Sequence, residues 1–330
     1  MPRPTPIIRK VLVTAAVLLA ALAGGLVYVV QPIGWRSSGA RPDGVDPVRL
    51  EAHVRMLAET LAPRHWKRQD NLDRAAAYVA ARLGEAGARV TEQVYAVEAA
   101  GRYRNVIGSF GPEAGERVIV GAHYDGAGPF AAADDNASGV AGLLELARLL
   151  GTGRTPATRV DLVAFTLEEP PYYDTEWMGS HVHAAALRRE GVAVRAMIAL
   201  EMIGYFSDAP GSQRLPHLLL RVVYPSTGNF VAVIGRLGET QLARRVKRAM
   251  QDATDLDVYS MNAPAWIPGI DFSDHRSYWA QGYPAVMVTD TAFYRNDRYH
   301  TPRDTPDTLD YRRMADVVRG VHRAVLTLAR

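Results

Sequence analysis

Residues 117–150 read RVIVGAHYDGAGPFAAADDNASGVAGLLELARLL, which predicts a strand, a loop and a helix in that order. Residues 117–123 form an apolar run of strand length, and residues 137–150 have apolar side chains at helical spacing. Strands that are apolar throughout and alternate with helices are typical of a mostly parallel sheet with both faces covered. This segment therefore predicts an α/β fold.

The same alternation continues along the chain. Two helical stretches are predicted between residues 46 and 90. Further strands are predicted at residues 159–167, 196–203, 217–223 and 285–289, with further helices near residues 178–190, 239–253 and 310–329. The chain has 330 residues and is 48% hydrophobic, which is enough apolar material for the core of such a sheet.

Charge and cysteine content exclude several classes of function. The formal net charge of +3 is small for 330 residues and predicts no nucleic-acid partner. The chain has no cysteine, so it has neither disulfides nor thiolate nucleophiles. Any bound metal must be held by His, Asp and Glu, a ligand set that suits zinc, manganese or cobalt.

The N-terminal segment predicts a membrane anchor. Residues 11–30 contain no charge, and 20 helical residues span about 30 Å, the thickness of a bilayer core. Three basic residues precede them: Arg3, Arg9 and Lys10. Because basic flanks remain in the cytoplasm, residues 1–10 are expected there and the rest of the chain outside it. A signal peptide cleaved after Ala-Leu-Ala at 21–23, which would give a secreted protein, is the closest alternative.

The remaining boundaries follow from this interpretation. Residues 31–47 predict a short polar linker, and residues 48–330 predict the globular domain of a single-pass membrane protein. A helix buried inside a globular domain is a further alternative for residues 11–30.

Ionisable side chains follow the ends of the predicted strands. In order along the chain they are His123, Asp125, Asp134, Asp135, Glu168, Glu169, Glu201 and His300. Because ligands bind at the carboxyl ends of parallel strands, we expect these side chains to meet at one edge of the sheet. Each has an ordinary alternative; Asp135, for example, is also a good helix cap. Glu201 is harder to explain otherwise, since a carboxylate inside an apolar run is costly unless it is paired or binds a metal.

Such a set can hold two divalent ions if one carboxylate bridges them, an arrangement found in aminopeptidases among other enzymes. Glu168 and Glu169 are adjacent, so their side chains point in different directions. One can therefore bind metal while the other serves as a general base.

Six motifs occur in the order GAHYDG (121–126), ADDNASG (133–139), TLEEPP (166–171), ALEMIGY (199–205), SDHRSYW (273–279) and YHTPRDTPDTLDY (299–311). Together they resemble the co-catalytic zinc exopeptidases, which include bacterial leucyl aminopeptidases, glutamate carboxypeptidase II and zinc-dependent glutaminyl cyclases. The resemblance covers roughly residues 48–330. It implies a phosphorylase/hydrolase-like three-layer α/β/α fold.

The resemblance also implies a role for each matching residue. The implied metal ligands are His123, Asp135, Glu169, Glu201 and His300. Asp135 bridges the two ions, Glu168 is the general base, and Asp125 orients the ring of His123. The bond between Asp135 and Asn136 is expected to be cis. Two departures stand out, because Glu201 replaces the usual Asp and residues 170–180 form a longer and more aromatic loop, a candidate lid.

The resemblance predicts hydrolysis of N-terminal peptide bonds with two zinc ions, although one ion, manganese or cobalt remains an alternative. Peptides or dipeptides are the expected substrates. The function alternatives are a carboxypeptidase or dipeptidase, a glutaminyl-cyclase-like acyltransferase, and a non-catalytic module tethered to the membrane. Arg295 and Arg298 flank His300 and either grip a substrate carboxylate or are solvated loop residues. Tyr294 is the candidate donor to the oxyanion.

Overall fold

The computed structural model describes residues 5–30, 44–98 and 100–330. Eight strands form one sheet: β1 Arg89–Val97, β2 Gly101–Phe110, β3 Arg117–His123, β4 Arg159–Phe165, β5 Val194–Glu201, β6 Phe230–Arg236, β7 Asp257–Ala263 and β8 Ala285–Thr289. Their order across the sheet is β1-β2-β4-β3-β5-β8-β6-β7. The four central strands, β4, β3, β5 and β8, are parallel, whereas β2 and β6 pair with them in antiparallel fashion.

Helices cover both faces of the sheet. The helices are α1 Pro6–Val30, α2 Pro47–Arg55, α3 Gln69–Glu85, α4 Gly139–Thr152, α5 Gly179–Arg189, α6 Thr240–Gln251, α7 His275–Ala280 and α8 Tyr311–Leu328. Successive strand residues point to opposite faces, so Val118 and Val120 pack with α2, α3, α4, α6 and α8. Ile119 faces the other way and packs with α5 and α7. The predicted three-layer α/β/α fold is confirmed, with a sheet that is mixed at its edges.

One predicted strand is wrong and four strands were not predicted. Residues 217–223 contain a 3₁₀ helix, Leu218–Val222, instead of a strand. Because this apolar run does not pair with the sheet, Leu218 and Val222 remain exposed. The strand of this region is β6, which was missed together with β1, β2 and β7. Strand β1 alternates exposed and half-buried residues at the edge of the sheet and lacks the apolar run expected of a buried strand.

The N-terminal helix α1 contains the predicted anchor. Residues Pro6–Gly25 form a helical span with a mean hydropathy of 2.0, long and apolar enough to cross a bilayer. None of that span is buried within the protein. Residues 1–4 of the predicted basic flank and 31–43 of the predicted linker lie outside the described residues.

Candidate active site

The parallel strands bring the predicted site residues to one edge of the sheet. Strand β3 lies between β4 and β5, and His123 at its end is paired in register with Phe165. Glu168 and Glu169 follow the end of β4 after two intervening residues, and Glu201 is the last residue of β5. All four side chains are buried. The convergence expected from the strand order is therefore observed.

The first cluster joins His123, Asp135 and Glu201. The Nε2 atom of His123 lies 3.4 Å from Oδ1 of Asp135 and 3.3 Å from Oε2 of Glu201. The three ligand atoms lie within 4.8 Å of one another. They form one half of a candidate metal centre.

The second cluster joins Asp135, Glu169 and His300. The Nε2 atom of His300 lies 3.0 Å from Oδ2 of Asp135 and 3.2 Å from Oε2 of Glu169. Asp135 therefore contributes one carboxylate oxygen to each cluster. This is the arrangement of a bridging ligand.

These spacings fit zinc. Ligands about 2.0–2.1 Å from a tetrahedral ion stand about 3.3 Å apart, close to the four distances above. Among the described residues, both ring nitrogens of His123, Nε2 of His300 and Oε1 of Glu169 are buried without a hydrogen-bond partner. Such atoms are costly to bury unless something binds them. The two clusters therefore have both the spacing and the unused ligand atoms that two ions require.

The charges in the two clusters also favour a cation. Burial raises the pKa of Glu168 well above its ordinary value, and burial and the Asp135 carboxylate raise the pKa of Glu169 to about 8. Burial lowers the pKa of His123, but the carboxylates of Glu201 and Glu168 outweigh it and raise that pKa well above its ordinary value. The site concentrates more negative charge than its own residues neutralise, and divalent cations would balance it.

Glu168 occupies a different place from the ligands. Its Oε2 atom lies 3.9 Å from Nε2 of His123, longer than the spacing within either cluster. It can be grouped with His123 and Glu169 as a third set of neighbouring ligand atoms. By this distance its carboxylate is less closely associated with His123 than are those of Asp135 and Glu201.

Two buried carboxylates hold the ligand loops through backbone amides. Asp125 accepts hydrogen bonds from the amides of Glu168 and Glu169, both at 3.1 Å, and its Oδ1 lies 3.5 Å from Nδ1 of His123. Asp304 does the same for the amides of Asp134 and Asp135, at 2.8 and 3.1 Å. Asp304 was missed in the sequence, because nothing in its loop marks it apart from the neighbouring aspartates.

We expect Asp304→Asn to weaken zinc binding about 10–100-fold, the usual effect of losing a residue that orients a metal ligand. The amide would place an N–H₂ group against one of the two N–H donors and leave the Asp135 loop less well held. Competition against a chelating dye measures the affinity. Asp307→Asn is the matched control, since Asp307 lies in the same loop with its side chain 77% exposed. Equal zinc affinity in both variants would contradict the role of Asp304.

Three further residues fix the site and were also missed. Arg64 is fully buried, and its guanidinium donates to the carbonyl oxygens of Leu57, Tyr124, Ala131 and Ala132. It thereby joins the loop after His123 to the loop before Asp135. Ser273 donates a hydrogen bond of 2.7 Å to Oε2 of Glu201. Asn136 accepts from the amides of Gly139 and Met202 and donates to the carbonyl of Leu200.

The adjacent aspartates 134 and 135 have different environments. Asp134 accepts from the amide of Gly204 at 3.0 Å and from Nδ2 of Asn296 at 2.9 Å, so its oxygens face away from the ligand clusters. The carboxylate of Asp135 faces His123 and His300, and Asn136 rather than Asp135 bonds the first amide of α4. The alternative of Asp135 as a helix cap is therefore not observed. The expected cis bond between Asp135 and Asn136 is confirmed.

The candidate substrate residues near His300 differ in accessibility. The hydroxyl of Tyr294 donates to the carbonyl of Pro268. Arg295 is buried and bonds Gln213 and the carbonyl of Tyr205, which places its guanidinium inside the protein. Arg298 bonds the hydroxyl of Tyr205 with its side chain 30% exposed. The substrate roles of these three residues stay predictions.

An apolar pocket adjoins the ligand clusters. Glu201 is one of its lining residues, together with strand residues Phe230, Ala232, Ile234 and Met287. Tyr299 also lines it, and its ring stacks on the imidazole of His300 with centroids 3.7 Å apart. A substrate side chain in this pocket would bring the adjoining backbone to the clusters.

The loop at residues 170–180, the candidate lid, is held by its neighbours. Tyr173 donates to the carbonyl of Asp271 and lies under the guanidinium of Arg276. Asp174 forms a salt bridge of 2.8 Å with Arg276. These contacts tie the loop to the segment that carries Ser273.

A three-layer α/β/α fold with paired histidine and carboxylate clusters at the carboxyl edge of its sheet is that of a metal-dependent hydrolase of the peptidase type. The chain belongs to peptidase family M28, whose family model matches residues 105–325. The predicted family is therefore confirmed.

Two relatives show how far the likeness extends. The chain is 47% identical over 321 residues to the uncharacterized protein YfbL of Escherichia coli K12, covering 94% of this chain and 97% of that one. It is 25% identical over 224 residues to leucine aminopeptidase 1 of Ajellomyces capsulatus, covering 64% of this chain. The match spans about half, 52%, of the fungal protein.

Solved structures share the fold at low identity. The LapA aminopeptidase of Legionella pneumophila superposes with a TM-score of 0.69 at 17% identity, over 86% of this chain and 72% of that one. BSAP, a zinc aminopeptidase from Bacillus subtilis, superposes with a TM-score of 0.66 at 14% identity, over 86% of this chain and 96% of that one. The glutaminyl cyclase of Bacteroides thetaiotaomicron superposes with a TM-score of 0.64 at 20% identity, over 88% of this chain and 99% of that one.

Proposed function

We propose that the chain is a membrane-anchored, zinc-dependent aminopeptidase. The observation that carries the proposal is the pair of ligand clusters that share Asp135, with distances of 3.0 to 3.4 Å between their ligand atoms. His123 and Glu201 would hold one ion, Glu169 and His300 the other, and Asp135 both. When bound, the ions would supply a water of lowered pKa and polarise the scissile carbonyl.

The protein's own residues account for the rest of the reaction. Glu168 accepts a proton from the attacking water and returns it to the leaving amine. Asp125 and Asp304 hold the ligand loops through four backbone amides, so the geometry is fixed before the substrate arrives. The pocket beside Glu201 binds the side chain of the first residue.

Release of free amino acid distinguishes this proposal from its main rival. A screen of aminoacyl-nitroanilides and dipeptides, with metal analysis of the same sample, is expected to show hydrolysis and two zinc ions per chain. Formation of pyroglutamate from N-terminal Gln, with one ion and no free amino acid, would favour a glutaminyl-cyclase-like enzyme instead. The presence of a complete second cluster around His300 favours hydrolysis.

The apolar pocket favours substrates with a large apolar first residue. Ala232 is almost fully buried in the pocket wall, so Ala232→Phe would fill the space that such a side chain needs. We expect kcat/KM for a leucyl-nitroanilide to fall about tenfold or more relative to an alanyl-nitroanilide. The alanyl substrate serves as the internal control for intact chemistry. Ile234→Ala should shift preference toward larger residues, and an unchanged preference in both variants would contradict the pocket assignment.

Helix α1 is proposed to anchor the protein in a bilayer, with the N-terminus in the cytoplasm and the catalytic domain outside. The proposal rests on the length, hydropathy and exposure of Pro6–Gly25. Full-length protein that remains with membranes after alkaline carbonate washing would support it. Complete release, or a mature N-terminus beyond residue 23, would favour secretion.

A further inference from the structure

Three large apolar side chains in the segments that border the apolar pocket are much more exposed than Phe272 in the pocket itself, which is 42% exposed. Leu218, Val222 and Trp266, here called the apolar rim, are 72%, 85% and 81% exposed. Leu218 lies two residues after Pro216 and Trp266 two residues before Pro268, and both prolines line the pocket. Two residues span at most about 7 Å, so Leu218 and Trp266 lie at the margin of the pocket, and Val222 is at the other end of the 3₁₀ helix that begins with Leu218. Exposed apolar side chains grouped in this way mark an interaction surface.

The rim belongs to the β7 edge of the molecule. Tyr224 follows the 3₁₀ helix Leu218–Val222, and its hydroxyl donates to the carbonyl of Ser260 in β7. Trp266 lies in the segment that leaves the end of β7, and residues 263–270 of that segment carry no charge. Helix α1 also lies against β7. The apolar rim and the proposed membrane helix are therefore at the same edge of the sheet.

Positive charge is concentrated at this edge. Residues 209–257, which run to the first residue of β7, contain seven Lys or Arg and four Asp or Glu, a formal charge of +3. Because the whole chain also carries +3, the remaining residues together carry no net charge. Lys247 is buried, and the other six basic residues lie next to the rim or on and before α6, which packs on β6 and β7: Arg214, Arg221, Arg236, Arg244, Arg245 and Arg248.

We propose that the β7 edge rests on the surface of an anionic bilayer, with the apolar rim in the interface. Tryptophan is favoured at the membrane–water interface, and basic residues near the surface are attracted by anionic lipid. An apolar peptide would explain the rim but not the basic segment, and a second copy of this chain would bring two such segments together. The inference rests on the proposed anchor, and it places the mouth of the pocket beside the bilayer.

The absence of cysteine allows a direct test on the full chain. Val222→Cys and Trp266→Cys are labelled with an environment-sensitive fluorophore and reconstituted in vesicles of phosphatidylcholine and phosphatidylglycerol. Val94→Cys is the matched control, because Val94 is an exposed apolar residue on β1 at the opposite edge of the sheet. Quenching by lipids that carry a spin label is expected to be several-fold stronger at positions 222 and 266 than at 94. Omitting phosphatidylglycerol should reduce that difference.

The possible outcomes distinguish the membrane-facing β7 edge from the membrane anchor, and the measurements do not depend on hydrolysis of a substrate. Flotation with the vesicles after carbonate washing, with equal quenching at all three positions, would overturn the membrane-facing edge and leave the anchor standing. Protection of position 222 from aqueous iodide without quenching by lipid would assign the rim to a second copy or another protein and would also overturn the proposal. Failure to float would overturn the anchor and, with it, the inference. Thermal melting of each labelled variant shows whether it is folded.

Discussion

Glu168→Gln is expected to keep two zinc ions per chain and to lose about 10²–10⁴-fold in kcat/KM, the usual contribution of a general base. That loss corresponds to about 3–5 kcal/mol of transition-state stabilisation. The glutamine amide has nearly the same size as the carboxylate but cannot accept a proton at neutral pH. The longer distance from Glu168 to His123, 3.9 Å against 3.3 and 3.4 Å for the cluster members, is the reason to expect the metal content to persist.

Two measurements on the same preparation make this prediction decisive. Metal analysis shows whether the zinc ligands are intact, and hydrolysis of a leucyl-nitroanilide shows whether the general base is intact. Glu176→Gln is the matched control, since Glu176 is an exposed glutamate in the loop that follows Glu168. Wild-type turnover in Glu168→Gln would show that the base lies elsewhere. Loss of one zinc ion would show that Glu168 is a ligand, as its proximity to His123 and Glu169 allows.

The part of the site that could be predicted is the part attached to strand ends. His123 and Glu201 each end a buried strand, and Glu168 and Glu169 follow one, so an apolar run in the sequence also locates the ionisable group after it. The observed strands β3 and β8 have the predicted bounds for the same reason. Parallel pairing of neighbouring strands then brings these groups together without further information.

The residues that fix the ligands could not be found in this way. Arg64 precedes the sheet by many residues, and Ser273 and Asp304 lie in loops whose paths depend on packing. These residues contact ligand loops that are far away in the sequence. Local sequence patterns carry no information about such contacts. Arg64 in particular resembles any other arginine of an arginine-rich chain until the fold buries it.

The misassigned strand has a related cause. Residues 217–223 and 230–236 are both apolar runs, and composition alone does not decide which of them joins the sheet. Strand β6 joins because β8 and β7 offer it partners on both sides, antiparallel and parallel. The run that has no partner stays outside as a 3₁₀ helix and exposes Leu218 and Val222. Residues 217–223, which were wrongly predicted to form a strand, are therefore part of the surface proposed to face the bilayer.

Asp135→Asn is expected to lose zinc and Asp134→Asn to keep it, although the two residues are adjacent and both are buried. Asp135 supplies one oxygen to each cluster, so replacing one of its oxygens with an amide nitrogen removes an anionic ligand that both ions share. We expect the zinc content to fall from two ions to one or none, and hydrolysis to fall by orders of magnitude. Removal of zinc from the wild type by a chelator should reproduce that loss, with recovery on adding zinc back.

Asp134→Asn should keep both ions. Its carboxylate accepts from the amide of Gly204 and from Asn296, and burial together with the Asp290 carboxylate raises its pKa well above the ordinary value. A neutral amide is tolerated in such a place, because burial already favours the uncharged form and the amide oxygen can still accept from Gly204, although the hydrogen bond from Asn296 is lost. Metal analysis and thermal melting of the two variants measure the difference. If Asp134→Asn lost zinc and Asp135→Asn kept it, the bridging role would have to move to Asp134, whose oxygens face away from both histidines.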